Sequence, residues 1–172
     1  MKLSLAIALF FAATIGADAA PQAKPKKKAE TNTIAQMVTV SGECTRLVHA
    51  GLAVEGCKPL LVNMNYSTGI SSYWFTTESS ILAFSGDGSR RIEQGPDVVV
   101  QAIEKVILAA TTAAPKEQGG KEDTAVGFCR FGDPNLKSSM IECVAHTYMG
   151  RYEGAFAADG SPPRLEAFQV AQ

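Results

Sequence analysis

Motifs that carry chemistry are scarce in this chain. It holds two histidines, His49 and His146, and neither has an acid or a cysteine at a recognisable motif spacing. Its four cysteines offer no C-x2-4-C pair and no companion His-x3-5-His, the spacings of structural zinc sites, and the C-x-x-C of a thioredoxin-like centre is missing too. Serines recur at 67, 71, 72, 79, 80, 85, 89, 138 and 139, yet none lies in G-x-S-x-G. Neither G-x4-G-K-[ST] nor a G-x-G-x-x-G leading from a strand into a helix occurs. The sequence therefore assigns no catalytic residue, no metal ligand and no cofactor.

Positive charge is sparse outside one segment. Residues 31–172 carry 11 Lys/Arg against 15 Asp/Glu, a net of −4, which gives phosphate backbones little to hold and sets nucleic acid aside. Long apolar runs are also missing. The N-terminal stretch from Leu3 to Ile15 has about 13 apolar residues, short of the ~20 that a spanning helix needs, so no transmembrane segment is expected in the mature chain.

What is present begins with MKLSLAIALFFAATIGADAA, in which a lysine, an apolar stretch and the small-x-small step Ala17-Asp18-Ala19 describe a signal peptide over 1–19, cut between Ala19 and Ala20. Periplasmic or secreted localisation follows. The basic run AKPKKKAE, 23–30, belongs to a solvated tether over 20–35. A single domain is expected over 36–160. Residues 161–172, within DGSPPRLEAFQVAQ, read as an irregular tail.

An exported chain meets an oxidising compartment, where an even number of cysteines points to disulfides. Local pairing, Cys44 with Cys57 and Cys129 with Cys143, makes each pair the two arms of a β-hairpin. Facing Cys129 with Cys143 sets Arg130 opposite Glu142, Phe131 opposite Ile141 and Phe128 opposite Val144. Facing Cys44 with Cys57 sets Arg46 opposite Glu55 and Leu47 opposite Val54, with a tight turn at Ala50-Gly51. Crossed connectivity and metal or redox use are the competing readings.

Between the hairpins, Leu61, Asn63 and Asn65 alternate with Leu60, Val62, Met64 and Tyr66, a strand whose apolar face is the second set. ISSYWFTT and ILAFS supply two more strands of a meander. After Gly95-Pro96-Asp97, the residues Val99, Ala102, Ile103, Val106, Ile107 and Ala110 recur at helical steps, with Gln101, Glu104 and Lys105 opposite them. This predicts one amphipathic helix packed on the sheet. RYEGAFAA is a final strand. The fold expected is α+β: an antiparallel sheet of six to seven strands, one packed helix and two stapled hairpins.

Contact residues are few. In Tyr73-Trp74-Phe75, alternation sends Trp74 to the face opposite Tyr73 and Phe75, so one face carries aromatic area that a partner can use. FSGDGSRR joins a glycine bend to Arg90 and Arg91, a combination able to hold an anion. Trp74, Tyr73, Arg90, Arg91 and His146 are thus the candidate binding residues, and their convergence in one cleft is the arrangement that a ligand site requires.

The signal, the basic tether, the two cysteine hairpins, the Y-S-T-G turn at 66–69 and the closing Y-x-G-x-F from Tyr152 to Phe156 together resemble the small exported proteins of unknown function common in alphaproteobacteria, over residues 40–160. The resemblance implies export and disulfides and transfers no activity. The function expected is a non-catalytic binding or inhibitory module, acting on an envelope or extracellular protein or a small ligand. The alternatives are a small envelope hydrolase centred on His146 and a purely structural envelope protein.

Overall fold

The structure, a computed structural model, describes residues 33–95, 97–111 and 120–168. The signal peptide, its Ala19/Ala20 cleavage point and residues 20–32 of the tether lie outside them. The strands are β1 (Ile34–His49), β2 (Leu52–Ala53), β3 (Leu60–Tyr66), β4 (Ile70–Thr76), β5 (Ser80–Asp87), β6 (Ile92–Glu93), β7 (Val99–Ala110), β8 (Lys121–Phe131), β9 (Met140–Thr147), β10 (Gly150–Ala158) and β11 (Arg164–Ala167). Eight of them, in the order β1, β3, β4, β5, β7, β8, β9, β10, pair antiparallel, and β10 returns to β1. Closure into a barrel removes the exposed edge of an open sheet. β1 makes the closure possible because it is long: residues 34–41 pair with β3, and residues 42–48 pair with β10.

This overturns the α+β expectation. Among the described residues the only helical turn is the short 3-10 segment Gly88–Arg90, and the wall has eight strands rather than six or seven. The expected helix is β7, and a β-bulge explains why it reads as helical. Pairing with β8 shifts register between Ile103 and Lys105, leaving Glu104 and Lys105 both exposed. The bulge slips the alternation by one residue, so Gln101, Ile103 and Val106 are all buried. The three-residue step from Ile103 to Val106 imitates a helix turn. Val99, Val100, Ile103, Val106 and Ile107 are β-branched, and that chemistry favours the pleated wall. Gln101, assigned above to the polar helix face, is fully buried. The tail differs as well: Arg164–Ala167 forms β11 against Gln36–Thr39 of β1 where irregular chain was expected.

The inside of the barrel is apolar through its middle. Phe75, Phe84, Phe156, Leu61, Leu82 and Val106 have 2% exposure or less, and Phe75 meets Phe84 edge-on at 5.8 Å. Phe75 fits because residue 154 is glycine: a Cβ there would sit 2.5 Å from the Phe75 ring. Charged side chains such as Glu104, Lys105, Arg130 and Glu142 are exposed on the outer wall. An apolar inside with charges outside inverts the pattern of a lipid-embedded barrel. No helix among the described residues is long and apolar enough to cross a membrane.

Both disulfides form with the local pairing. Cys129–Cys143 bridges β8 and β9 in the wall with the register deduced above, Arg130 facing Glu142, Phe131 facing Ile141 and Phe128 facing Val144. Cys44–Cys57 ties the middle of β1 to the segment that leads into β3. Its hairpin turns at Ala50-Gly51, with φ of 50° and 85°, the two positive values of a type I′ turn. Arg46, expected opposite Glu55, instead joins Arg151 in gripping the buried Glu153 carboxylate, each Nε lying 2.7 Å from an oxygen. Two such bonds mark a chain that folds in an oxidising, extracytoplasmic environment.

Candidate functional site

At one end of the barrel the interior changes character. On β3 the face turned inward, shared with Ser71, Tyr73 and Phe75 of β4 by register, is Leu61, Asn63 and Asn65, the reverse of the expected apolar face; Leu61 is buried and the two asparagines are partly buried. On β4, alternation places Ser71 and Tyr73 inside together with Phe75. On β7 the inward position two residues ahead of Ile103, where the bulge begins, is Gln101. Four polar residues and a phenol thus converge where the barrel opens.

They satisfy one another. Asn63 Nδ2 donates to Ser71 Oγ at 2.9 Å and to the Ser72 carbonyl at 3.2 Å, and Asn65 Nδ2 donates to Asn63 Oδ1 at 3.0 Å. Gln101 Nε2 donates to the Ser71 carbonyl at 3.1 Å, and the Tyr73 hydroxyl donates to Gln101 Oε1 at 3.4 Å. Among the described residues no buried side-chain nitrogen or oxygen lacks a partner. A closed network of this kind fixes each rotamer at the mouth.

One charge enters it. The Asp87 carboxylate accepts from the Ser89 amide and hydroxyl at 2.9 and 2.5 Å, which holds the Gly88–Arg90 turn, and the Gly88 amide donates to the Gly69 carbonyl at 2.9 Å. The two bonds from Ser89 hold the Asp87 carboxyl below its ordinary range. β6 then pairs back on β7, with Ile92 facing Val100, and this brings Arg91 beside Gln101. Arg91 Nε donates to Gln101 Oε1 at 3.1 Å, and Nη2 donates to Ser71 Oγ at 2.9 Å and to Asn65 Oδ1 at 3.4 Å. Its guanidinium carbon lies 5.5 Å from the centre of the Phe131 ring, which in turn packs 5.4 Å from Tyr73. Every partner of this cation is neutral. Among the described residues no carboxylate forms an ion pair with it, although Glu93 of β6 and Asp97 and Asp133 of neighbouring loops are nearby.

Below the guanidinium is a cavity of about 180 Å³ lined by Val38, Val40, Leu61, Phe131 and Ile141, with Asn63, Tyr73 and Arg91 at its polar side. Burial pushes the Tyr73 hydroxyl up to about 12, against smaller lowering effects of Arg91 and Ser71. The phenol is therefore a hydrogen-bond donor at neutral pH, and deprotonating it as a base is costly.

The candidates do not all converge. Tyr73 and Arg91 meet at the mouth. Arg90 is exposed and borders a different concavity with Ile92, Val100, Ala102 and Phe128. Trp74 lies on the outer wall, its indole N–H donating to Ser72 Oγ at 3.0 Å. There it lines a cavity of about 470 Å³ with Tyr66, Ile81, Ile107 and Glu122. That cavity adjoins Thr111, next to residues 112–119, which are outside the described set. His146 stands exposed on β9 facing Val126 and Arg151, with no hydrogen bond to an acid or serine among the described residues. Of the nearby acids, Glu153 is held by Arg46 and Arg151, and Asp133 accepts from the Asn135 amide.

Sequence reasoning missed Asn63, Asn65, Ser71 and Gln101. The available signal is two asparagines at alternate positions of a strand that otherwise reads as core. Comparison of the chain with protein-family models, with curated proteins and with solved structures finds no match.

Proposed function

We propose that the protein is a periplasmic or secreted binding module whose barrel mouth takes up the apolar end of a small ligand. The carrying observation is the cavity at the mouth: apolar on most sides, polar on one, and bounded by a hydrogen-bond network that exists before any ligand arrives. Preorganisation of this kind lowers the ordering cost of binding. Eight-stranded barrels have room inside for side chains or for one small ligand, and their mouths are a recurrent location for such sites. At about 180 Å³ the space is of the order of the ~150 Å³ engineered cavity that holds benzene, so the group received is a single ring or a short branched alkyl chain.

The reading is non-catalytic because the polar groups at the mouth are amides, a hydroxyl, a protonated phenol and a guanidinium, which bind and orient without supplying a base near neutral pH. Its test is methyl and amide NMR mapping with benzyl alcohol. Shifts should concentrate at Val38, Leu61 and Ile141. Shifts confined to the outer wall around Trp74, or none at millimolar probe, would refute uptake at the mouth.

A further inference from the structure

Resting on that reading, we propose that the ligand is a small monoanion: a carboxylate on a ring-sized apolar body, with its charge received by Arg91. Three observations carry this. First, the guanidinium borders an apolar cavity, and its partners among the described residues, Gln101, Ser71, Asn65 and the Tyr73 hydroxyl, are all neutral. Arg91 as a whole is exposed and keeps water on its outer side, and on the side of the cavity a ligand's opposing charge is the strongest partner that the guanidinium can meet. Second, those hydrogen bonds use Nε and Nη2, and no acceptor among the described residues engages Nη1. Two N–H donors are left for a ligand. A planar guanidinium with free donors matches a carboxylate in geometry as well as in charge.

Third, among the described residues the mouth offers one cation rather than several. Arg90, the next residue back, borders a separate concavity, so a doubly charged phosphate would have one of its charges uncompensated. The tyrosine adds selectivity: its phenol stays protonated, with its one hydrogen donated to Gln101, and so puts no competing negative charge beside the anion. Asn63 Nδ2 is spent on Ser71 and Ser72, so it does not substitute for the guanidinium as the anion's partner.

The test is calorimetric titration of the disulfide-intact protein with benzoate and with benzyl alcohol, which share a ring and differ in charge. Benzoate is expected to bind about tenfold or more tightly than benzyl alcohol, the ordinary return on a charge-assisted hydrogen bond. In Arg91→Gln that preference should vanish while benzyl alcohol binding stays. Arg91→Lys should retain part of it, and Arg90→Gln should retain all of it. If Arg91→Gln does not fold, the wild-type pair decides alone, because an ion pair at the mouth requires the benzoate preference to shrink as salt rises. Equal affinities for the two probes, or benzoate binding that survives Arg91→Gln undiminished, would overturn the proposal and leave uptake of an apolar ring standing. Failure of both probes to bind would overturn the two together.

Discussion

Halfway along the barrel, the inward positions of β4, β5 and β10 are Phe75, Phe84 and Phe156; two to four residues earlier on β4, and on β3 and β7 beside them, they are Tyr73, Ser71, Asn63, Asn65 and Gln101. The two regions share strands, register and alternation, yet they do opposite work. At the waist, each buried phenylalanine removes apolar surface from water and contributes on the order of 2–3 kcal/mol. At the mouth, hydrogen bonds replace bonds that water would have made, and each contributes about 1 kcal/mol net. A chain selected for stability alone would continue the apolar filling to the rim. The polar rim around Arg91 is therefore where the proposed ligand uptake would be set against packing.

The contrast can be broken at either end. The largest effect belongs to the waist: Phe84→Ala, at a fully buried ring in contact with Phe75, should cost about 4 kcal/mol by urea denaturation. A loss below about 1 kcal/mol would mean that the waist is not the stabilising layer.

Next comes the boundary residue, Tyr73. Its hydroxyl titrates near 10 in the unfolded chain and at about 12 in the barrel, so the folded state holds the proton more tightly. Below pH 10 both states are protonated and the stabilisation is complete; between pH 10 and 12 the unfolded chain ionises first and stability falls, by roughly 2–3 kcal/mol in all. Tyr73→Phe should flatten this part of the alkaline unfolding curve. An unchanged curve would show that the phenol is not buried as described.

The smallest effect belongs to the mouth. Arg91→Met removes a cation and three hydrogen bonds to neutral groups while keeping an aliphatic stem, and stability should change by no more than about 1 kcal/mol in either direction. A loss as large as that of Phe84→Ala would make Arg91 part of the scaffold and erase the distinction.

Parts of this design are legible in the sequence because they are local. The Cys129–Cys143 hairpin could be written residue against residue, since both arms, their opposite charges and their apolar pairs lie within one short stretch. The Ala50-Gly51 turn is local for the same reason. β7 was misread because one extra residue at Glu104-Lys105 changes the phase of a period-two pattern, and periodicity alone does not separate that slip from a helix. The inward face of β3 was inverted because Asn63 and Asn65 are paid for by partners elsewhere: Ser71 on the next strand and Arg91 beyond a third. Gln101 is buried against Ser71, thirty positions away in sequence, and nothing near it announces that partner. Of the two adjacent arginines, the register of β6 on β7 selects Arg91, and a two-residue strand leaves no pattern to read.

The proposed role of Arg91 is to receive a ligand's charge. Nitrogen-15 NMR of the arginine side chains, recorded with and without benzoate, follows the guanidinium itself. Arg91 Nη resonances that sharpen and move downfield with benzoate, and stay in place with benzyl alcohol, are the predicted result. Benzoate that binds while every Arg91 resonance stays where it was would contradict it.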